Sequence, residues 1–387
     1  MDALLPSRHG SPDPIVIDRF TDDADLTGGE ALDALGRATA GLGVTRVWLV
    51  TDAGLRATPW VDVAVALLWS AGVMVEVYAD VISDPCDEDV ARAADAARAY
   101  GPDGVVAIGG GSVLDTAKGA ALLLANGGRV EDWWGFGKAP NPVLPIVAVP
   151  TTAGTGSEAQ SFAVIRRASD GQKMACGTTT LRPRLVVLDR RLTLSAPRLT
   201  TVYAGLDAIG HAVESAVCTA RTPQVTAEAI QTFTNLAGHL HTLLDRPDDL
   251  NAREGALYSA FDAGLCVEAS MLGAAHACAN ALSAKLGLPH GAAVGLMLPR
   301  VIRHNAADPA AAAVYAELTY MLRHLGVATD LIPFLESLLD RGGVPRSLAA
   351  WGVTPAMVPE LVEIAARQWT GTFNPVQPVD YMTLLAP

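Results

Sequence analysis

The stretch VVAIGGGSVLDTAKGAALLL, residues 105–124, runs from a short β-branched segment through three glycines and a serine into a helix-like segment. Residues 105–108 are typical of a buried strand. The GGGS motif that follows them would present free backbone N–H groups and the positive end of a helix dipole to an anion. The motif is not the GxGxxG fingerprint of dinucleotide-binding folds, so the stretch indicates either a pyrophosphate-binding loop or a plain strand-to-helix turn.

A second loop, PTTAGTGSE at residues 150–158, follows the apolar run 144–149. Its hydroxyl groups and glycines come at the carboxyl end of a predicted buried strand, where open α/β sheets hold their ligands. The alternative is a Ser/Thr turn that only closes the strand. Two such loops in one sheet predict a single shared ligand.

Asp52 ends the β-branched run 44–51. A carboxylate in this place can accept hydrogen bonds from an adenosine ribose and repel a 2′-phosphate, which favours NAD over NADP. The alternative interpretation is an N-cap for a helix that begins at Ala53.

The rest of the chain divides into two textures. Short β-branched runs alternate with helix-like segments in residues 1–196, which predicts an α/β nucleotide-binding domain with a parallel sheet. The predicted strands are residues 15–17, 44–51, 73–78, 105–108, 144–149, 162–166 and 185–188, the first of them an edge strand. Residues 197–387 predict a helical bundle that carries a metal. The predicted helices are residues 201–217, 225–244, 251–268, 274–286, 310–325 and 355–367.

Composition and charge limit the cellular location and the binding partners that we expect for the protein. The formal net charge of −13 disfavours nucleic acid and anionic membrane surfaces. The five cysteines have no CxxC spacing, which predicts reduced thiols and a cytoplasmic protein. Residues 1–18 have no apolar core of an export signal, and no run approaches the length of a membrane span.

A candidate metal site lies in the second half of the chain. Asp207 and His211 are four residues apart in a helical segment and so project from one face. His276 and His290 follow in apolar surroundings. One carboxylate and three imidazoles suit a divalent transition metal such as iron or zinc rather than calcium or magnesium. Taken singly, each histidine is more simply explained as a satisfied core residue.

These motifs and their order resemble the iron-containing, or group III, alcohol dehydrogenases, a superfamily that includes maleylacetate reductases and glycerol dehydrogenases. The resemblance extends over nearly the whole chain. Its most specific parts are the GGGS motif with Asp115 and Lys118, the loop 150–158, the Asp207/His211 pair, His276 and His290.

The resemblance implies an NAD(P)- and metal-dependent enzyme that interconverts a carbonyl group and an alcohol. It makes Asp207, His211, His276 and His290 the ligands of one Fe²⁺ or Zn²⁺ ion. The residues that it places at the cofactor are Asp52, Gly109, Gly110, Gly111, Ser112, Asp115, Thr151, Thr152, Thr155 and Lys173. For Lys173 a solvated strand-end lysine is the alternative. The resemblance also implies a homodimer that pairs through residues 15–17.

One position departs from the family pattern. Most relatives carry a histidine four residues after His276, near the substrate, and this chain has Asn280 there. Asn280 can donate and accept hydrogen bonds but cannot titrate near neutral pH. The proton is therefore expected to travel through water, a cofactor ribose hydroxyl, or Thr and Ser groups of the second loop.

A small aldehyde or ketone is the expected substrate. A keto acid of the maleylacetate kind is the alternative, for which Arg300, Arg303 and Lys285 are the candidate anion-binding groups. Two other hypotheses remain. One is a dehydroquinate synthase-like cyclase, which returns its hydride within one turnover, and the other is a catalytically degenerate protein that only binds NAD.

Overall fold

The computed structural model describes residues 13–18 and 30–387. The segment in which we expect no export signal lies mostly outside these residues. The strands are β1 (Ile15–Ile17), β2 (Arg46–Asp52), β3 (Met74–Val81), β4 (Gly104–Gly109), β5 (Gly135–Phe136), β6 (Ile146–Pro150), β7 (Phe162–Arg166), β8 (Lys173–Gly177) and β9 (Leu185–Val187). The helices among them are α1 (Leu35–Gly41), α2 (Ala53–Arg56), α3 (Pro59–Ser70), α4 (Asp87–Tyr100) and α5 (Gly111–Asn126).

The main sheet has six parallel strands in the order β1-β9-β6-β4-β2-β3. Its central strands β4 and β6 are buried along their whole length, which explains their continuous apolar sequences. β1 is the edge strand that the sequence predicts, and it pairs with β9.

Residues 162–166 form the predicted strand, β7, but this strand does not join the main sheet. β7 lies in a separate sheet of order β5-β8-β7, where it runs antiparallel to β8. The connection between β7 and β8 is a tight turn in which the N–H of Arg167 donates to the carbonyl of Gln172 at 2.8 Å. Such a short connection allows only antiparallel pairing, because a parallel crossover needs a dozen or more residues.

The second half is helical. Its helices are α6 (Arg198–Val217), α7 (Pro223–Asp245), α8 (Leu250–Ala269), α9 (Ala274–Leu286), α10 (His290–Asn305), α11 (Pro309–Leu325), α12 (Leu331–Gly342), α13 (Val358–Ala366) and α14 (Tyr381–Leu384). Sequence patterns did not predict α10 or α12. α10 contains Pro299 in its interior, and burial of its apolar face outweighs that unfavourable local propensity.

The chain forms two compact units. The first comprises the described residues up to Thr152 together with Ser157–Ala196, and the second comprises Ala153–Gly156 and Pro197–Pro387. Each has its own apolar core. The predicted fold class, a parallel α/β sheet followed by a helical part, is confirmed. In the described ranges no single helix is long and apolar enough to cross a bilayer, and only α8 and α9, bent by 105° to each other, meet that criterion as a pair.

Candidate active site

Three helices of the second unit bring the predicted metal ligands together. Asp207 and His211 lie on α6, His276 is the third residue of α9, and His290 is the first residue of α10. The Oδ1 atom of Asp207 is 3.8 Å from Nε2 of His211, 3.4 Å from Nε2 of His276 and 3.6 Å from Nε2 of His290. The three Nε2 atoms therefore surround one carboxylate oxygen, and the donor atoms of Asp207, His276 and His290 also lie within 4.8 Å of one another.

Burial separates these groups from water. Asp207, His211 and His276 are almost fully buried, whereas the side chain of His290 is 35% exposed. Oδ1 of Asp207 and Nε2 of His276 make no hydrogen bond within the described parts of the chain. Leaving such atoms unpaired in a buried site costs free energy, and a cation held between them would remove that cost.

The charges within the cluster stabilise one another. Burial alone would raise the pKa of Asp207, but the imidazoles of His211, His290 and His276 outweigh it and hold that pKa far below its usual range. Burial lowers the pKa of His211 to about 4. For His276 burial acts in the same direction, yet the carboxylates of Asp207 and Glu214 outweigh it and raise the pKa to about 9. The carboxylate of Asp207 is thus ionised, as a metal ligand must be.

A glycine next to a ligand allows the helices to approach. Gly291 follows His290 at the start of α10, and any Cβ at this position would overlap the backbone carbonyl of Tyr203 on α6. The first turn of α10 therefore lies directly against α6 only because residue 291 has no side chain.

Glu214, which the sequence patterns did not single out, contacts His276 on the side that faces away from Asp207. Its Oε2 atom lies 2.6 Å from Nδ1 of His276. A signal was present, because Glu214 follows Asp207 and His211 at helical spacing and lies on the same face of α6. The assignment of its partner needs the fold, since His276 is 62 residues away in sequence.

The first residues of the two glycine-rich loops lie side by side in the first unit. β4 and β6 are parallel neighbours with Gly109 opposite Pro150, and the N–H of Thr151 donates to the carbonyl of Gly109 at 3.1 Å. The N-cap of α5 is Gly110, and no side chain caps the helix there. A Cβ at Gly110 would lie 3.2 Å from Oγ1 of Thr152. The two loops therefore form one surface at the carboxyl ends of adjacent strands.

The other predicted cofactor residues have protein partners. Asp52 caps α2 by accepting the N–H of Leu55 at 2.9 Å, which is the N-cap role given above as its alternative interpretation. The Ser112 hydroxyl accepts the N–H of Asp84 at 3.1 Å, and Lys173 forms an ion pair with the carboxylate of Asp84.

Two further predicted cofactor residues are Asp115 and Thr155. Asp115 accepts the Ser157 hydroxyl at 2.7 Å. Thr155 belongs to the short segment Ala153–Gly156, which groups with the second unit.

Lys118 holds the end of the second loop through hydrogen bonds to its backbone. Its side chain is fully buried, and its ammonium group donates to the backbone carbonyls of Ser157, Gln160 and Phe162. A buried lysine is tolerated only when it is well paired and hydrogen bonded. The loop that carries the threonines is thus fixed to α5 through one charged group.

Glu158 makes the stability of the first unit depend on pH. Burial raises the pKa of Glu158 to about 7, while Lys118 lowers it and Asp115 raises it. Because the folded pKa exceeds the unfolded value, the folded protein retains a proton between about pH 4.3 and 7 that the unfolded chain has lost. The free energy of unfolding therefore falls as pH rises through this window, by about 4 kcal/mol.

We expect Glu158→Gln to remove that loss. The variant should gain stability over the wild type at pH 8 but not at pH 4.5, as followed by the melting temperature at both values. Parallel pH dependence of the two proteins would contradict the assignment.

Asn280 lies on α9 and donates through Nδ2 to Oε1 of the buried Gln368 at 3.3 Å. The three candidate anion-binding groups are engaged elsewhere. Arg300 donates to the carbonyls of Leu384 and Ala386, Arg303 pairs with Glu336, and Lys285 pairs with Glu360.

The match to known proteins follows the same division of the chain. Residues 26–190 match the family model described as iron-containing alcohol dehydrogenase, and residues 201–382 match the one described as Fe-containing alcohol dehydrogenase family, C-terminal. The fold and both matches define an oxidoreductase that acts on CH–OH groups.

Individual dehydrogenases match the chain over most of its length. The chain is 31% identical to the NAD-dependent methanol dehydrogenase of Bacillus methanolicus, over 92% of this chain and 95% of that one. It is 32% identical to the 1,3-propanediol dehydrogenase of Citrobacter freundii, over 93% of this chain and 95% of the relative. A crystal structure of 1,3-propanediol oxidoreductase superposes with a TM-score of 0.88 at 28% identity, covering 97% of this chain and 98% of its own.

The chain therefore belongs to the iron-containing alcohol dehydrogenases. The resemblance and the alcohol dehydrogenase function that the sequence predicts are confirmed, and the relatives do not favour the alternative functions.

Proposed function

We propose that Asp207, His211, His276 and His290 hold one divalent metal, iron or zinc, at the catalytic centre. The observation that carries the proposal is the convergence of three Nε2 atoms within 3.8 Å of a buried carboxylate oxygen that has no hydrogen-bond partner in the described residues. One oxygen and three nitrogen donors match the preference of these two metals. When bound, the metal supplies a Lewis acid for a substrate oxygen.

We propose that the paired loops of the first unit bind NAD. The uncapped N-terminus of α5 and the glycines 109–111 suit a pyrophosphate, because backbone N–H groups and the helix dipole converge there. Ser112, Thr151 and Thr152 add hydroxyl groups to this surface. The cofactor supplies or accepts the hydride.

Two carboxylates and a lysine complete the proposed cofactor site. The carboxylate of Asp52 disfavours a 2′-phosphate while it caps α2, which favours NAD over NADP. The ammonium group of Lys173 already forms an ion pair with the carboxylate of Asp84. It would therefore interact with the cofactor only while it is shared with that carboxylate. Asp115 contributes to this site by accepting the hydroxyl of Ser157 and so orienting the second loop.

The proposed substrate is a small uncharged alcohol, aldehyde or ketone. In the described part of the second unit Arg300, Arg303 and Lys285 are all engaged by carbonyl or carboxylate oxygens, so none of them is held ready for a substrate carboxylate. Relatives are named for the neutral compounds methanol and 1,3-propanediol but also for the anions sulfoacetaldehyde and 4-hydroxybutyrate, so the proposal rests on the engaged cations of this chain.

The test is NADH consumption with short aldehydes, ketones and dicarboxylic keto acids, repeated with NADPH. We expect the neutral carbonyl compounds to be reduced with kcat/KM at least about tenfold above the keto acids, which corresponds to about 1.4 kcal/mol of discrimination. Saturation by a keto acid while aldehydes stay inert would overturn the substrate class.

Proton transfer has to avoid position 280. Neither Asn280 nor its partner Gln368 titrates near neutral pH, so we propose that water, a cofactor ribose hydroxyl, or Thr and Ser groups of the second loop carry the proton. We expect Asn280→His to add a titration near pH 6.5 to the profile of kcat/KM, because imidazole titrates there. An unchanged profile in an active variant would show that residue 280 does not contact the proton path.

We propose that two copies pair through β1. This strand ends the main sheet, and Ile15 on it is 56% exposed. Sedimentation velocity should give one species of twice the chain mass, and Ile15→Lys should shift it toward the monomer. A wild-type monomer would contradict the proposal. The five cysteines are all unpaired, which suits a reducing, cytoplasmic location.

A further inference from the structure

We propose that Glu214 is a positioning residue that fixes His276 as a metal ligand. The proposal rests on the metal site proposed above. It concerns a contact behind the site, on the side of the imidazole that faces away from Asp207.

The contacts define how the ring is held. Oε2 of Glu214 lies 2.6 Å from Nδ1 of His276, and Oε1 accepts the N–H of Ala275 at 2.7 Å. An ionised carboxylate only accepts hydrogen bonds, so Nδ1 carries the hydrogen. In the neutral imidazole this tautomer leaves the lone pair on Nε2, the atom that lies 3.4 Å from Oδ1 of Asp207. Glu214 therefore selects both the orientation of the ring and the nitrogen that binds the metal.

The fold holds Glu214 in place through the start of α9. Its carboxylate faces the first N–H groups of that helix, where the helix dipole favours a negative charge. The N-cap of α9 is Gly273, and a Cβ there would lie 2.9 Å from Oε1 of Glu214. The absent side chain at residue 273 leaves room for the carboxylate, which links α6 to the helix that carries His276.

A second polar pair lies at the same helix end without touching the ligands. Asn374 accepts the N–H of Ala274 at 3.3 Å and exchanges hydrogen bonds with Asn305 at 2.9 and 2.7 Å. Both asparagines are buried. Asn305→Ala is thus a matched control, because it removes buried hydrogen bonds near the start of α9 and leaves the contact between Glu214 and His276 intact.

Glu214 is not itself placed as a ligand. Its Oε2 atom contacts Nδ1 of His276, whereas the atoms that surround Oδ1 of Asp207 are the Nε2 atoms of His211, His276 and His290. A role limited to capping α9 would need only the contact with the N–H of Ala275. The two roles therefore differ in whether metal affinity depends on Glu214.

The experiment measures Zn²⁺ affinity of the metal-free full chain by competition with a chromogenic chelator, together with the melting temperature of the metal-free protein. For Glu214→Gln we expect affinity to fall about 10- to 100-fold, the usual effect of losing such a partner. The amide offers one acceptor oxygen where two N–H groups and Nδ1 need acceptors. For Asn305→Ala we expect a lower melting temperature and an affinity within about threefold of the wild type.

Wild-type affinity in Glu214→Gln, or an equal loss of affinity in Asn305→Ala, would overturn the positioning role and leave only a helix cap. If Glu214→Gln does not fold, the Zn²⁺ affinity of Glu214→Asp is measured instead. Aspartate keeps the charge but is one methylene too short to contact both the N–H of Ala275 and Nδ1 of His276, so we expect the affinity to fall here as well. A wild-type chain that binds no Zn²⁺ would instead overturn the metal site, and the role of Glu214 with it.

Discussion

His276→Ala should abolish metal retention and turnover together. The substitution removes the ligand that lies 3.4 Å from Asp207 and leaves the buried carboxylate of Glu214 without its imidazole partner. A Lewis-acid metal contributes several kcal/mol to the reaction, so we expect kcat/KM to fall by about 10³-fold or more. Elemental analysis of protein purified without chelator should show the metal lost as well.

The control for this variant is His324→Ala, which removes an exposed histidine that stacks on Tyr320. We expect its metal content and activity to match the wild type. A His276→Ala protein with normal metal and normal turnover would refute the ligand assignment.

Lys118→Met should destabilise the protein by about 3–5 kcal/mol, because removing one partner from a buried charged network leaves the others uncompensated. The variant would leave the carbonyls of Ser157, Gln160 and Phe162 without their ammonium donor, and it would remove the positive charge that lowers the pKa of Asp115 and of Glu158. Urea unfolding followed by tryptophan fluorescence gives the change in free energy. Looser anchoring of the second loop should also raise the KM for NADH.

Lys285→Met is the matched control. Its ammonium group pairs with Glu360, but both side chains are partly exposed, at 33% and 54%. Exposed ion pairs contribute at most about 1 kcal/mol. Equal losses in the two variants would show that the Lys118 network has no special role.

The sequence could predict those parts of the site that depend on local spacing. Residues 105–124 predict a strand, a glycine turn and a helix because each of these leaves its own periodicity. Asp207 and His211 share a helix face for the same reason. The adjacency of the two loops also follows from general rules, since the carboxyl ends of parallel strands lie at one edge of a sheet.

What escaped prediction depends on distant partners. The role of Glu214 is set by a histidine on another helix, and the membership of β7 in the small sheet is set by its partner β8. Helix α10 forms although Pro299 in its interior has a low helix propensity, because burial of the helix in the tertiary structure outweighs that local preference. Asp52 shows the opposite case, because its short-range role as an N-cap is the one observed while its proposed role toward the ribose stays a prediction.

The most direct measurement is an anomalous scattering experiment at the iron and zinc absorption edges on crystals of chelator-free protein. We predict one peak, about 2.0–2.2 Å from Asp207 Oδ1 and from the Nε2 atoms of His211, His276 and His290. A fully active protein with no peak at these residues, or with a metal bound elsewhere, would contradict this prediction.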